Sequence, residues 1–141
     1  VENKFYTPSI EEFHVGFEYE ELYGTWTDKP YWKKVIWTKD DFYNDHHCYM
    51  LTDAYEQGNL RVKYLDREDI ESLGFKVPNE GARWQFENGV YKLYVTPYIY
   101  TGDVAPNDRI TIKDGRDDHG YFDGIIKNKS ELKRLLKQLG I

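Results

Sequence analysis

The sequence predicts an α+β fold: a single domain over 1–141 with a mainly antiparallel twisted sheet, one long helix, one short helix and a C-terminal amphipathic helix packed on that sheet. Three observations carry this expectation. Apolar residues alternate with polar ones in several short runs, which is the strand period. An Asn88-Gly89 pair stands between two such runs and marks a hairpin. The C-terminal end carries start, stripe and stop signals of an amphipathic helix. At 141 residues the chain has the usual size of one domain and buries about two-thirds of the surface its unfolded form exposes.

In chain order, Thr7-Pro8-Ser9 reads as a turn, and Phe13, Val15, Phe17 and Tyr19 then alternate with His14, Gly16, Glu18 and Glu20 as a strand with one wet face. The Gly, Pro and Asp content from Tyr23 to Pro30 makes a loop, and Trp32 to Trp37 returns as the second strand of a hairpin. Thr38 and Asp41 have capping-box spacing, and Phe42, His46, Tyr49, Met50 and Leu51 recur at helical intervals, predicting a helix over 39–57 with Gly58 as its stop. Leu60, Val62 and Tyr64 alternate as a strand. Asp66 is the N-cap of a short helix whose Ile70 and Leu73 point inward and which Gly74 ends. After the loop Pro78-Asn79-Glu80-Gly81, the Asn88-Gly89 turn sets Phe86 opposite Tyr91 and Trp84 opposite Leu93. These four and Val95 form the core side, while Arg83, Gln85, Glu87, Lys92 and Tyr94 take the other. Ile110 to Ile112 and Tyr121 to Ile126 are two further strands. Asn128 at N-cap, Glu131 at N3, the stripe Leu132, Leu135, Leu136 and Leu139, and Gly140 at the end specify the last helix, with Lys133, Arg134 and Lys137 outward.

Composition narrows the function classes. Four Trp, thirteen Tyr and seven Phe make 17% of the chain aromatic, so the core is ring-rich. Tyr hydroxyls need water or a partner, which places many of these rings at core edges or along a concave surface, as in a binding protein. A formal net charge of -6 argues against bulk attraction to nucleic acid or an anionic membrane. No apolar run approaches the ~18 residues of a membrane span, and Val1-Glu2-Asn3-Lys4-Phe5 lacks the apolar core of a signal peptide, so a cytoplasmic address is expected. The single Cys48 excludes an intrachain disulfide and a CxxC pair, and reads as a half-buried helix residue.

Three segments resemble a known group: Lys4 to Glu20 (KFYTPSIEEFHVGFEYE), Val62 to Phe75 (VKYLDREDIESLGF) and Gly124 to Leu132 (GIIKNKSEL). They are similar to a set of small uncharacterised proteins encoded by gut Bacteroidetes and their phages. The resemblance implies a phage-type accessory protein in the cytoplasm of a bacterial host. It carries no catalytic residues, and the stretches from Tyr23 to Trp37 and from Pro97 to Gly120 lie outside it.

Several constellations invite chemistry. Asp40, Asp41, Asp45, His46 and His47 are ligand types of a hydrolytic metal site. Adjacent histidines on a helix point about 100° apart, however, and acids near a helix N-terminus already have the macrodipole as a reason. Asp114, Asp117, Asp118, His119 and Asp123 have the composition of a calcium loop. Counted from Asp114, the third, sixth and twelfth positions are Arg116, His119 and Ile125, where that loop needs an oxygen ligand, Gly and Glu. Neither cluster predicts a metal, and no cofactor motif is present: Walker loop, dinucleotide turn, HExxH, Gly-x-Ser-x-Gly and paired His-x-Thr are all missing from the sequence. The ligand-binding candidates are Tyr94, Tyr98 and Tyr100, which share one side of a strand continued past Pro97, with Arg61, Lys63, Lys92 or Arg109 to meet a phosphate. Lys127, Lys129, Lys133, Arg134 and Lys137 read as a solvated face. The leading expectation is a non-catalytic binding protein that captures a small nucleotide-derived signal or a host protein, in counter-defence. A small metal-dependent phosphodiesterase or nuclease built on the Asp and His clusters is the alternative from another class, and a structural protein that forms homo-oligomers through exposed rings is a third.

Overall fold

The computed structural model describes residues 4–78, 85–96, 104–117 and 119–141. The class is α+β, with two antiparallel sheets of four strands each where the alternation suggested one. The chain divides into two compact units, Val1–Lys63 and Tyr64–Ile141.

The first unit contains strands β1 (Phe5–Tyr6), β2 (Glu18–Tyr23), β3 (Tyr31–Ile36) and β4 (Leu60–Lys63) in the order β1-β4-β2-β3, with helices α1 (Lys39–Phe42) and α2 (Asp45–Glu56) between β3 and β4. The strand expected to begin at Phe13 begins at Glu18. Before it, Ile10–Glu12 form one 3-10 turn, and the Phe17 N–H donates to His14 O at 2.9 Å, closing a second turn around Gly16. Gly16 has φ +91, a conformation other residues rarely adopt, so the chain here bends where the alternation implied extension. The alternating rings serve packing: Phe13 meets Phe17, Tyr19 and Trp37 edge-on at centroid distances of 4.8, 5.0 and 5.6 Å.

The hairpin β2–β3 pairs Tyr19 with Val35, Glu21 with Lys33 and Tyr23 with Tyr31. Cα partners share a face, so these six side chains lie on one side of the sheet and Glu20, Leu22 and Trp32 on the other. The helix expected over 39–57 is two helices, because Asn44 interrupts it. The Asn44 side-chain oxygen accepts the His46 N–H at 3.0 Å, starting α2 afresh after α1 has ended at Phe42. Leu51 and Ala54 of α2 bury with Phe17, Tyr19, Trp37, Leu60 and Val62 to form this unit's core.

The second unit opens with α3 (Arg67–Ser72), continues through the meander β5 (Gln85–Asn88), β6 (Tyr91–Thr96), β7 (Arg109–Asp114) and β8 (Gly120–Ile125), and ends with α4 (Lys129–Leu139). Asp66 caps α3 by accepting the Asp69 N–H at 2.9 Å. In the first hairpin Phe86 pairs with Leu93 and Asn88 with Tyr91. The turn is therefore Gly89-Val90, one residue later than the Asn88-Gly89 reading. The slip moves each partner along its strand but leaves the faces unchanged, and Phe86, Leu93 and Val95 are buried as expected. Trp84 and Arg83 lie outside the described residues.

The C-terminal helix matches its signature residue by residue. The Asn128 side chain accepts the Glu131 N–H at 2.8 Å, and Gly140 adopts φ +74 and donates to the carbonyls that the helix leaves unpaired. Leu132 and Leu136 are buried with Ile70, Phe75, Phe86, Leu93, Ile110 and Ile112, while Leu135 and Leu139 pack at the edge of this core. Lys133, Arg134 and Lys137 are exposed.

Candidate functional site

A cleft of about 270 Å³ opens in the first unit, just below the usual range for small-molecule pockets. Its floor is the sheet: Tyr19, Glu21 and Tyr23 arrive at every second position of β2, with Val35 opposite on β3 and Trp37 just beyond it. Its wall comes from Asp41 of α1 and His46, Met50 and Leu51 of α2. The break at Asn44 helps build this wall, since α1 and α2 each contribute side chains.

The cleft is aromatic, acidic and partly dry. Trp37 is 4% exposed and packs edge-on against Phe42 at 5.4 Å. Its Nε1–H is buried and meets no acceptor among the described residues, an arrangement that costs about 1–3 kcal/mol. The hydroxyl of Tyr19 is held in its protonated form well above its ordinary range, first by burial and then by the carboxylates of Glu21 and Asp41. Tyr23 is raised as well, by burial first and then by its hydrogen bond to Glu21. Asp41 also closes the capping box of α1, its Oδ2 accepting from Thr38 N at 2.6 Å and Thr38 Oγ1 at 2.8 Å. Lys33, on the same sheet face, holds its ammonium 5.2 Å from the centre of the Tyr23 ring.

The residues singled out in the sequence fall elsewhere. Arg61 lies on the opposite face of the first sheet, where its guanidinium sits 3.8 Å from the Phe5 ring centre and 4.2 Å from that of Trp32. Its Nε and Nη2 donate to Glu20 at 3.2 and 3.3 Å. One arginine thus touches a residue on each of β1, β2 and β3 from its own β4, a bidentate and stacked geometry that fastens the sheet. Lys63 lies beside it, paired with Phe5. Tyr94, Lys92 and Arg109 belong to the second unit and share the face of β6–β7 turned away from its core. Lys92 approaches Glu87 at 3.8 Å, and Arg109 makes a two-pronged pair with Asp123. Tyr98 and Tyr100 lie outside the described residues.

Of the acidic clusters, no group of three His, Cys, Asp or Glu side chains among the described residues is placed to hold a metal ion. Asp118 and the side chains of Asp45 and His47 lie outside that description. Cys48 is half-buried on α2, its Sγ 3.4 Å from Asp41 O. Asp114 is 2% exposed and accepts three hydrogen bonds from Arg116: from Nη2 at 2.6 Å, Nε at 3.0 Å and the backbone N–H at 2.9 Å. These bonds, the side-chain ones first, lower its pKa to about 2. Because the folded value lies below the unfolded one, ionised Asp114 stabilises the fold fully above pH ~4, and the contribution fades as pH falls through about 2. Asp114→Asn is accordingly expected to be less stable than the parent at pH ~6, with the gap closing between pH ~4 and ~2. Denaturant melts of both proteins across that range measure it, and a gap independent of pH would count against the Asp114–Arg116 pairing.

No helix among the described residues is long and apolar enough to cross a membrane. No family model, curated protein or solved structure matches this chain. What the site can do therefore rests on its own geometry: the cleft offers rings and carboxylates, with the buried Nε1–H of Trp37 in one of its lining residues, which together suit recognition of a small group.

Proposed function

We propose that the chain is a phage-type accessory binding protein without catalysis, which captures a small ligand, or a side chain of a host protein, in the cleft of its first unit. The observation that carries this is the buried Nε1–H of Trp37, which meets no acceptor among the described residues, in a residue that lines a concave, ring-walled space. Cores satisfy their buried donors, so an unpaired one beside a cleft marks a place where an incoming acceptor gains more than it would in water. The phage context, and with it a role in counter-defence, comes from the sequence resemblance.

A second reading keeps the nucleotide-derived signal as ligand and puts it on the second sheet. It is supported by Tyr94, Lys92 and Arg109 sharing one face, and exposed ion pairs such as Arg109–Asp123 yield readily to a phosphate. The cleft is favoured because it is concave and partly dry.

Both readings meet one experiment, a thermal-shift screen of small amines, amides, alcohols and cyclic and linear signalling nucleotides on the parent, Met50→Trp and Tyr94→Ala. Met50 is 51% exposed at the cleft wall, so a larger ring there obstructs the cleft at little cost to the core. A ligand of the cleft is expected to lose at least about tenfold in affinity, some 1.4 kcal/mol, with Met50→Trp and to be indifferent to Tyr94→Ala. The reverse pattern would move the site to the second sheet, and no shift with any compound would end the small-ligand reading.

A further inference from the structure

We propose that the group received by the cleft is an organic cation, an alkylammonium or guanidinium with an apolar body; this deepens the cleft reading above and depends on it. The charged residues lining the cleft are acidic apart from His46, and Lys33, the cross-strand partner of Glu21, stands outside the lining on the same sheet face. The described lining includes the carboxylates of Glu21 and Asp41 and no Lys or Arg. Asp41 spends one oxygen on the Thr38 cap, and Glu21, half-buried in the middle of the floor and hydrogen-bonded to Tyr23, is the principal anchor.

Rings complete the preference. Tyr19 and Tyr23 flank Glu21 on the same strand face; Tyr19 is buried and stacked on Phe17, whereas Tyr23 is only half-buried, and an aromatic face attracts a cation held within about 6 Å of its centre. The protein already demonstrates this at the rim, where the Lys33 ammonium stands 5.2 Å from the Tyr23 ring centre. Lys33 is exposed and tethered to β3, so it occupies the outer ring and can be displaced. The carboxylates of Glu21 and Asp41, which after burial help keep Tyr19 protonated, oppose a further negative charge beside them. An anionic ligand would therefore enter against the local field, within a chain of net charge -6. The Trp37 Nε1–H, without an acceptor among the described residues, would add a preference for a hydrogen-bond acceptor on the body that carries the cation if binding opens it to the cleft.

Matched probes of one shape separate charge from fit: choline as the cation, 3,3-dimethylbutanol as its neutral isostere and 3,3-dimethylbutanoate as the anion. Calorimetric titration is expected to show choline binding at least about tenfold tighter than the alcohol, and the anion weaker still. Glu21→Gln is expected to remove most of the preference for choline while leaving the alcohol's affinity within about twofold, so that the alcohol reports an intact cleft. Lys33→Met removes the internal competitor and is expected to tighten choline about two- to fivefold. Equal affinity for cation and alcohol, with Met50→Trp weakening both, would overturn the charge inference and leave the cleft reading standing. Tighter binding of the anion would overturn it too. Silence of all three probes, together with an empty ligand screen, would end both.

Discussion

Phe17→Ala is expected to destabilise the first unit by about 3–5 kcal/mol, the range for removing a fully buried phenylalanine. Phe17 is 0% exposed, and its ring lies within ring-contact distance of Phe13 and Tyr19, at 4.8 and 6.1 Å. Its backbone also holds the hairpin, accepting the Trp37 N–H at 2.9 Å. Truncation leaves a cavity in this core beside Tyr19, a floor residue of the cleft, and removes the ring against which Tyr19 stacks. The loss is larger than a typical domain can absorb without a marked drop in its melting temperature. Denaturant unfolding measures the magnitude, and amide exchange locates it, with faster exchange expected in β2, β4 and α2. A change below about 1 kcal/mol would show that the ring network is not the core of this unit.

Leu132→Ala is expected to cost about 2–5 kcal/mol, against less than about 1.5 kcal/mol for Leu135→Ala. Both residues belong to the leucine stripe of α4. Leu132 is 0% exposed within the second core, whereas Leu135 packs at its margin. Depth of burial, and not membership of the stripe, sets the difference. Equal losses at the two positions would contradict the packing of α4 described above.

That contrast shows what could be read in advance and what could not. Caps and stops depend on residues three or four apart, so Asn128, Glu131 and Gly140, like Asp66 for α3, were legible from local chemistry alone. The faces of β5 and β6 were legible too, because the period of two survives a one-residue shift of the turn. Strand partnership was not, since nothing local tells β4 to enter between β1 and β2 while β5 to β8 pair in series. The alternation at Phe13, Val15 and Phe17 misled for a physical reason. Rings recurring at even spacing can pack on a turn as well as on a strand, and Gly16 permits the turn. Asn44 starts α2 afresh with a side-chain hydrogen bond that helical periodicity does not register.

The candidate site followed the same division. Tyr94 and its neighbours attracted notice because their spacing is visible in one segment of chain. The cleft residues are contributed by β2, β3, α1 and α2, and only folding assembles them. One signal for them existed: Tyr19, Glu21 and Tyr23 at every second position put a carboxylate between two rings on one strand face. Arg61 illustrates the converse. Its basic charge suggested a phosphate partner, yet the fold surrounds it with Phe5, Trp32 and Glu20.

The most direct measurement is the indole N–H resonance of Trp37 in a heteronuclear NMR titration with choline, assigned by its disappearance in Trp37→Phe. If the cleft is the binding site, this resonance shifts saturably, while that of Trp26, which is 85% exposed, and that of Trp32, on the opposite sheet face, stay in place. Binding that leaves the Trp37 signal unmoved, or that shifts only Trp32, would contradict it.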